Sequence, residues 1–446
     1  MSSAFELKGA TVVDGTGAAP LADATVRVRD GCIEAVWSGA VPSDAARLPV
    51  EQVIDVRGMT VMPGLIDAHC HISYGEGRTA EEVDVYGGAE WAAVRAVWNA
   101  RKVLLGGVTS FCDPGSTWNV AVTCRDAIDS GMYPGPRIFA GGRHLSADGG
   151  FADYFPSWLG MPPSAEGVLC PTRDEIGREV RRQVKNRVDL IKISGDSQAQ
   201  ERAPNAGSCF TDDELQYTVR LAHQFARKVT VHSRYAETVL AAARAGVDWL
   251  IHASYMRAGD ISEILDLQVP ICPTITFTAN VVEHGRDVGV DEGYIETKRR
   301  ELDALVSVLT RALEAGIPMM MGSESGFSIT PYGEWHVREL ELMVKLLGMS
   351  PMDAIVASTS NNARAFGWAG RVGTIEPGCR ADLLVVDGDP LADISLLGDR
   401  TRINAIFKDG EKVEVTHSDT RRRMAHERGF SVSREVLHRR AGLSLR

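Results

Sequence analysis

Between about Val61 and Phe366, the sequence alternates short apolar runs with longer amphipathic stretches. The apolar runs are VMPGLIDAHCHI, TSFCDPG, RIFAGG, DLIKISG, VTVHS, WLIHAS, VPICPTI and IPMMMGSES, and helical patterns such as TRDEIGREVRRQVKNR lie between them. A strand followed by a helix, with strands that are almost entirely apolar, is typical of a parallel α/β barrel. An open doubly wound sheet would share the alternation, but no GxGxxG follows the first run. The sequence therefore predicts a (β/α)8 TIM barrel over residues 61–366.

Both ends of the chain have a different sequence pattern from the central part. Residues 1–60 contain β-branched runs separated by turns, as in ATVVDGTG and ATVRVRDG, and the same texture returns in GTIEPGCRADLLVVDGDP and RINAIFKDGEKVEV. We therefore predict one small β-sandwich formed from residues 1–60 and 367–420, with the barrel inserted between its halves. Residues 421–446 carry eight Arg and two Glu. They are predicted to be a basic tail, either a solvated helix face or a segment that docks onto its own or a neighbouring subunit, and we expect a homo-oligomer.

Charge and hydropathy exclude several classes of partner. Lys and Arg number 48 against 59 Asp and Glu, a net charge of -11. This balance disfavours a nucleic-acid backbone or an anionic membrane as partner. No run of about 20 apolar residues is present, so no membrane span is predicted. The N-terminal MSSAFELKGATVVDG lacks the pattern of a secretory signal, and the cysteines are scattered without a CxxC pair. These features predict a cytoplasmic protein with reduced thiols that acts on a small molecule.

Residues that can bind metal stand at the ends of the apolar runs, where a barrel places its reactive groups. His69 and His71 end the first run, and because alternate residues of a strand share a face, both imidazoles point into the barrel. Two neutral ring nitrogens on one rigid element form half a site for zinc or a similar ion. Lys192 lies between two isoleucines, where an ammonium is costly unless it is paired or neutralised. The coincidence predicts a metal site built from His69, His71, Lys192, His232, His252 and Glu324.

These motifs resemble the amidohydrolase superfamily. VMPGLIDAHCHI is followed in order by IK, HS, IHAS and GSES, and PGCRADLLVVDGDPL is similar to that family's closing β-sandwich segment. The resemblance runs from about Leu7 to Val415. It is strongest to the branch that holds imidazolonepropionases, Xaa-Pro dipeptidases, ochratoxin-type amidases and phenylurea hydrolases, of which TPYGEWHVRELELMVKLLGMSPMDAIVASTSNNARAFG is typical.

The resemblance implies a binuclear metal centre. His69 and His71 would hold the more buried ion, and His232 and His252 would hold the second. Lys192 would react with carbon dioxide to give a carbamate that bridges both ions, which replaces a cation by a two-oxygen anion. We expect zinc, with two ions per chain and one ion as the alternative.

The acidic residue at the last strand departs from the family pattern. Where the family has Asp in a G-[ST]-D pattern, this chain has Gly322, Ser323 and Glu324. The extra methylene moves the carboxylate by roughly 1.5 Å if the backbone is unchanged. Metal–oxygen bonds tolerate only about 0.2 Å. Either the backbone at this position lies farther from the metal, or Glu324 contacts the attacking water without binding metal.

The predicted activity is hydrolysis of a C–N bond in an amide, urea or carbamate by metal-activated hydroxide, which includes a dipeptidase-like reaction. Glu324 would be the catalytic base that takes the proton and passes it to the departing nitrogen. One alternative is a mononuclear deaminase of a nitrogen heterocycle, which would not need Lys192. Another is a non-catalytic scaffold of the same fold, which would lack several of the ligands present here.

Four residues are predicted to contact the substrate. His144 and Tyr154 lie in GGRHLSADGGFADYFPSWLG, a loop rich in glycine and aromatic residues that suits a lid over an apolar group. Arg234 follows His232 by two residues and could bind a carboxylate, and His336 follows the eighth run. Each of them is equally well explained by loop packing or solvent exposure. The aromatic residues favour an apolar or aryl-bearing substrate.

Overall fold

The computed structural model describes residues 4–40 and 50–414, so the predicted basic tail lies outside the described residues. The strands are β1 Ala4–Val12, β2 Leu21–Arg29, β3 Cys32–Ser38, β4 Gln52–Asp55, β5 Met59–Pro63, β6 Leu65–Asp67, β7 Val108–Asp113, β8 Arg137–Ala140, β9 His144–Ser146, β10 Gly167–Leu169, β11 Leu190–Ser194, β12 Lys228–Tyr235, β13 Trp249–Tyr255, β14 Ile271–Cys272, β15 Leu383–Asp387, β16 Ile403–Lys408 and β17 Glu411–Lys412. The helices are α1 Ala80–Asp84, α2 Ala89–Leu105, α3 Val120–Asp129, α4 Arg173–Lys185, α5 Asp212–Gln224, α6 Ala236–Ala245, α7 Ile261–Asp266, α8 Ile275–Val288, α9 Glu292–Glu314, α10 His336–Leu347, α11 Pro351–Ala357 and α12 Ser360–Ala365.

Strands from both ends of the chain share one sheet, in the order β17-β16-β15-β5-β1-β2-β3, with β4 also paired to β1. The two ends of the chain thus contribute to one β-rich unit, whose strands are linked into one sheet. The long β1 makes the sheet continuous, because it pairs with β4 near its start and with β5 near its end. The sheet curls around its own apolar core, which includes Leu7, Val26 and Leu383. The rings of Phe5 and Phe407 stack with centroids 5.0 Å apart although their strands are not neighbours.

The central part of the chain forms two parallel sheets, a three-stranded sheet β6-β7-β8 and a six-stranded sheet β10-β9-β11-β12-β13-β14. Isolated backbone contacts join the two sheets. Gly141 after β8 bridges Leu190 of β11. Residues 318–321 bond to Ile271 on one side, and on the other side the amide of Ala68 donates to Met321. The fold is therefore of the TIM-barrel type, in which the segment after α9 contributes single bridges instead of a regular ladder.

Large apolar side chains fill the space between these strands. Phe139, Leu190, Trp249 and Ile251 belong to one buried cluster. Phe366, which follows α12, stacks on Phe139 with ring centroids 4.9 Å apart. Because the interior is packed with apolar groups, the polar residues at the carboxyl ends of the strands form the functional face.

Helix α5 begins with a capping box in the sequence TDDE. Thr211 Oγ1 accepts the amide of Glu214, and a Glu214 carboxylate oxygen accepts the amide of Thr211. Leu215 and Val219 of α5 then face the barrel core. None of the helices within residues 4–40 and 50–414 combines the length and apolar content that a bilayer crossing requires.

An ion-pair cluster ties the barrel to the curled sheet. The two terminal nitrogens of Arg137, at the start of β8, contact Asp382 Oδ2 at 2.9 Å and Asp409 Oδ1 at 2.7 Å. Asp382 precedes β15 and Asp409 lies in the turn after β16, so one guanidinium joins two segments of the C-terminal half to a barrel strand.

Candidate metal centre

The two histidines after β6 face each other. Nε2 of His69 and Nε2 of His71 are 2.9 Å apart, and both residues are buried. Nδ1 of His71 donates to the carbonyl oxygen of Gly115 at 2.8 Å. Nδ1 of His69 lies 3.1 Å from the hydroxyl of Thr274, which itself donates to the carbonyl of Cys272. With both Nδ1 atoms serving as donors, the Nε2 atoms that face each other are the ones left for a ligand, and two ring nitrogens at this distance are the arrangement that a shared cation satisfies.

Asp67 holds this pair in place. Its Oδ1 accepts the amide hydrogens of His69 at 2.8 Å and Ser323 at 3.1 Å. Its Oδ2 accepts from the Ser323 hydroxyl at 2.5 Å and from Nδ1 of His336 at 2.6 Å. His336, predicted from sequence to contact substrate, is thus fully buried at the start of α10 and braces Asp67. One carboxylate therefore fixes the ends of the first and last barrel segments relative to each other.

Glu324 reaches both pairs of histidines. One of its carboxylate oxygens and one ring nitrogen each from His69 and His71 all lie within 4.8 Å of one another. Glu324 Oε1 is 4.0 Å from Nε2 of His252, and Oε2 has no hydrogen-bond partner among the described residues. The backbone here is left-handed, with φ of 56°, and the Glu324 amide donates to the carbonyl of His69 at 2.6 Å. Burial raises the pKa of this carboxyl group.

His232 and His252 form the second pair. Nδ1 of His232 and Nε2 of His252 are 3.1 Å apart, and the ring of His252 lies 5.7 Å from that of His69. His252 has a left-handed backbone with φ of 74°, which turns its side chain toward the centre. Burial lowers the pKa of His69, His232 and His252, so all three rings are neutral.

Lys192 completes the converging group from β11. It is 1% exposed, and its Nζ has no hydrogen-bond partner among the described residues. Burial lowers the pKa of this amine to about 8. Because burial penalises the ammonium, the uncharged amine forms at lower pH here than in an exposed lysine.

The other predicted substrate contacts lie in different surroundings. The His144 ring is 5.8 Å from that of His71, with Nδ1 3.0 Å from a Ser194 hydroxyl and Nε2 without a partner among the described residues. Tyr154 is 39% exposed, and its ring contacts that of Phe151 edge-on at 5.8 Å. Phe151 in turn stacks on His232 with centroids 3.8 Å apart. The predicted lid loop thus lies against the histidines of the second pair.

Arg234 is buried, and its guanidinium group contacts Glu301 and His232. Its Nε donates to Glu301 Oε1 at 2.8 Å and one terminal nitrogen lies 2.6 Å from Nε2 of His232. Glu301 also accepts from Lys298 Nζ at 2.6 Å and from the Ser254 hydroxyl at 3.0 Å. Burial alone would raise the pKa of Glu301, but Lys298 and Arg234 hold it at about 2, so this acid is ionised.

Sequence reasoning missed several buried acids near the centre, among them Asp67, Asp196 and Glu166. Asp67 could have been suspected, since an acid inside the apolar run LIDAHCH needs a partner. Asp196 directly follows the Lys192 strand, and its Oδ2 is 3.3 Å from Nε2 of His232. Glu166, beside β10, is 5% exposed, and its Oε2 has no partner among the residues that the structure describes. Burial raises its pKa to about 7. No motif marks Glu166, because the tertiary fold alone brings it to the site.

A barrel-type fold with four histidines, a glutamate and a buried lysine converging at one end is the architecture of a hydrolase with a candidate metal centre. The chain belongs to the amidohydrolase family, whose sequence profile matches residues 60–413. This match confirms the family resemblance found in the sequence and accounts for the barrel joined to a β-rich domain.

Relatives with similar length support the assignment. Ochratoxinase from Aspergillus niger is 27% identical over 423 residues, covering 88% of this chain and 83% of that protein. Imidazolonepropionase from Solibacter usitatus is 24% identical over 414 residues, covering 88% of this chain and 91% of that protein. The crystal structure of a Xaa-Pro dipeptidase with methionine in its active site matches with a TM-score of 0.79 at 26% identity, covering 93% of this chain and all of that one.

Proposed function

We propose that this protein hydrolyses a C–N bond in an amide, urea or carbamate of a small apolar or aryl-bearing molecule, at a divalent metal ion. The observation that carries the proposal is the buried cluster of His69, His71 and Glu324, in which two bare imidazole nitrogens and one carboxylate oxygen converge within 4.8 Å. Nitrogen donors with one carboxylate favour zinc. When bound, the ion would activate water at neutral pH and polarise a carbonyl group.

Glu324 and His144 are the groups that would handle protons and orient the substrate. Glu324 Oε2 is buried and has no hydrogen-bond partner within residues 4–40 and 50–414, which suits it to take a proton from water and return it to the departing nitrogen. His144 lies beside His71, and its Nε2 has no partner in the described part of the chain, so it can hydrogen-bond a substrate carbonyl or amide. His336 acts through Asp67 and is a positioning residue.

Lys192 would serve as a carbamate. Its uncharged Nζ can attack carbon dioxide and lose a proton, which gives an anion able to add a ligand to the centre. The unpartnered, buried Nζ supports this role, since nothing else among the described residues satisfies it.

Aromatic walls support an apolar substrate. Tyr74 stacks on His71 with centroids 4.2 Å apart, and Phe327 contacts Tyr74 at 5.1 Å. Phe151 covers His232 on the other side. The similar structures include a Xaa-Pro dipeptidase, a name that denotes cleavage of a peptide bond, and this adds support for an amide bond in the substrate.

The test is a substrate panel with zinc-loaded full-length protein: N-acyl amino acids with aryl groups, aryl ureas, carbamates and Xaa-Pro dipeptides. We expect amine release from at least one class, loss of activity with a chelator, and recovery with zinc. His71→Asn should abolish turnover, while His223→Asn, which alters a histidine paired with Asp248 on an outer helix, should not. Ammonia release from purine, triazine or imidazole rings alone would favour the deaminase. A protein without bound metal or turnover would favour the scaffold.

A further inference from the structure

The contact between Arg234 and His232 decides which nitrogen of that imidazole is available. A guanidinium can only donate hydrogen bonds, so at 2.6 Å the Nε2 atom of His232 must accept. The hydrogen of the neutral ring then resides on Nδ1. Nδ1 faces Nε2 of His252 at 3.1 Å and donates to it. Both nitrogens of His232 and one of His252 are therefore occupied by hydrogen bonds within the protein.

This arrangement does not fit a second metal ion. A histidine that binds metal through Nδ1 normally donates Nε2–H to an acceptor, which leaves the Nδ1 lone pair free. Asp196 Oδ2, 3.3 Å from Nε2, is such an acceptor. The guanidinium lies closer and opposes that arrangement, because two donors would then face each other. The first pair differs on this point, since both of its Nε2 atoms are bare.

Arg234 is held in place from several sides. Glu301 binds its Nε at 2.8 Å, and the ring of Phe151 lies 5.0 Å from the guanidinium carbon. Lys298 of α9 binds the second oxygen of Glu301 at 2.6 Å. Arg234 and Lys298 thus place two cationic groups beside the second histidine pair, where they face the carboxyl groups of Glu301 and Asp196.

We propose that Arg234 takes the place of a second metal ion, so that the protein binds one divalent ion, on the side of His69 and His71, and a fixed guanidinium supplies the second positive charge. The inference rests on the proposed metal-dependent function. It narrows the sequence-based expectation of two ions, with one as the alternative, to one.

The test is metal stoichiometry, which needs no knowledge of the substrate. Full-length protein is saturated with zinc, freed of loose metal by gel filtration, and analysed for zinc per chain. We expect one ion in the wild type and two in Arg234→Gln, because the Gln carbonyl accepts Nε2–H together with Asp196 and exposes Nδ1. Lys298→Met is the matched control, since it removes a cation of the same network without touching His232, and should retain one ion.

Two ions in the wild type, or one ion in a folded Arg234→Gln protein, would overturn the inference. His232→Ala gives an independent measurement: it should keep one ion, whereas a loss would assign His232 to the bound metal. If Arg234→Gln fails to fold, the wild-type count and His232→Ala still decide. A wild type that binds no zinc refutes the proposed metal-dependent function itself, which separates the two failures.

Discussion

Replacing Asp84 by Asn should stabilise the protein at alkaline pH and change little in acid. Asp84 ends α1 and is fully buried; its Oδ1 accepts the amide of Glu166 at 3.0 Å, while Oδ2 has no partner among the described residues. Burial raises the pKa of this carboxyl from 3.8 to about 7. At about 1.4 kcal/mol per tenfold change in proton affinity, the difference is worth up to about 4 kcal/mol.

The sign follows from the direction of the pKa change. The folded state holds the proton more tightly than the unfolded state, so the wild type keeps its full stability below about pH 4 and loses it progressively until about pH 7. Asn mimics the protonated acid, preserves the bond to Glu166, and removes this dependence. Urea unfolding of both proteins, with equal zinc, should give similar free energies at pH 4 and an advantage for Asn of up to about 4 kcal/mol at pH 8. Asp266→Asn, an exposed acid at the end of α7, is the control. An advantage that does not change with pH, or a less stable Asn protein at pH 8, would refute the reasoning.

Three further perturbations test other parts of the molecule. Glu324→Gln should retain metal and lose about 100-fold or more in turnover, because the base is gone; near-normal rates in a steady-state assay would show that another base is used. Lys192→Ala should lose metal, with partial rescue by short carboxylic acids, and full metal retention would argue against a carbamate ligand. Arg137→Met leaves Asp382 and Asp409 without their shared partner and should cost about 3 kcal/mol or more in urea unfolding. An unchanged unfolding midpoint would show that this joint contributes little.

Regular strand and helix alternation made the barrel predictable, because apolar runs and amphipathic helices repeat with few interruptions. The capping motif at Thr211 likewise acts within one turn of helix and could be read directly. The continuous curled sheet was less accessible, since the pairing of β5 with β15 joins distant segments and leaves no local signal. Strand pairing between distant segments depends on the whole fold.

In the site too, features with a local sequence signal were predictable and features that depend on distant segments were not. His69 and His71 were found because both stand on one short element with a strand period. The role of Arg234 could not be read from its position after His232, because its partner Glu301 comes from a helix much later in the chain. A sequence indicates which side chains can meet at a strand end, but hydrogen-bond direction depends on atoms that only the folded structure brings together.

The sheet made from both ends of the chain also has a consequence for biosynthesis. Met62 of β5 pairs with Leu384 of β15, roughly 320 positions later. At translation rates of about 5–20 residues per second, β15 is synthesised about 15 to 60 s after β5. During that interval the nascent chain exposes an unpaired edge of Thr60, Val61 and Met62, the kind of surface that recruits other chains. We therefore expect the yield in a cell to depend on shielding of this edge during synthesis as well as on the stability of the finished protein.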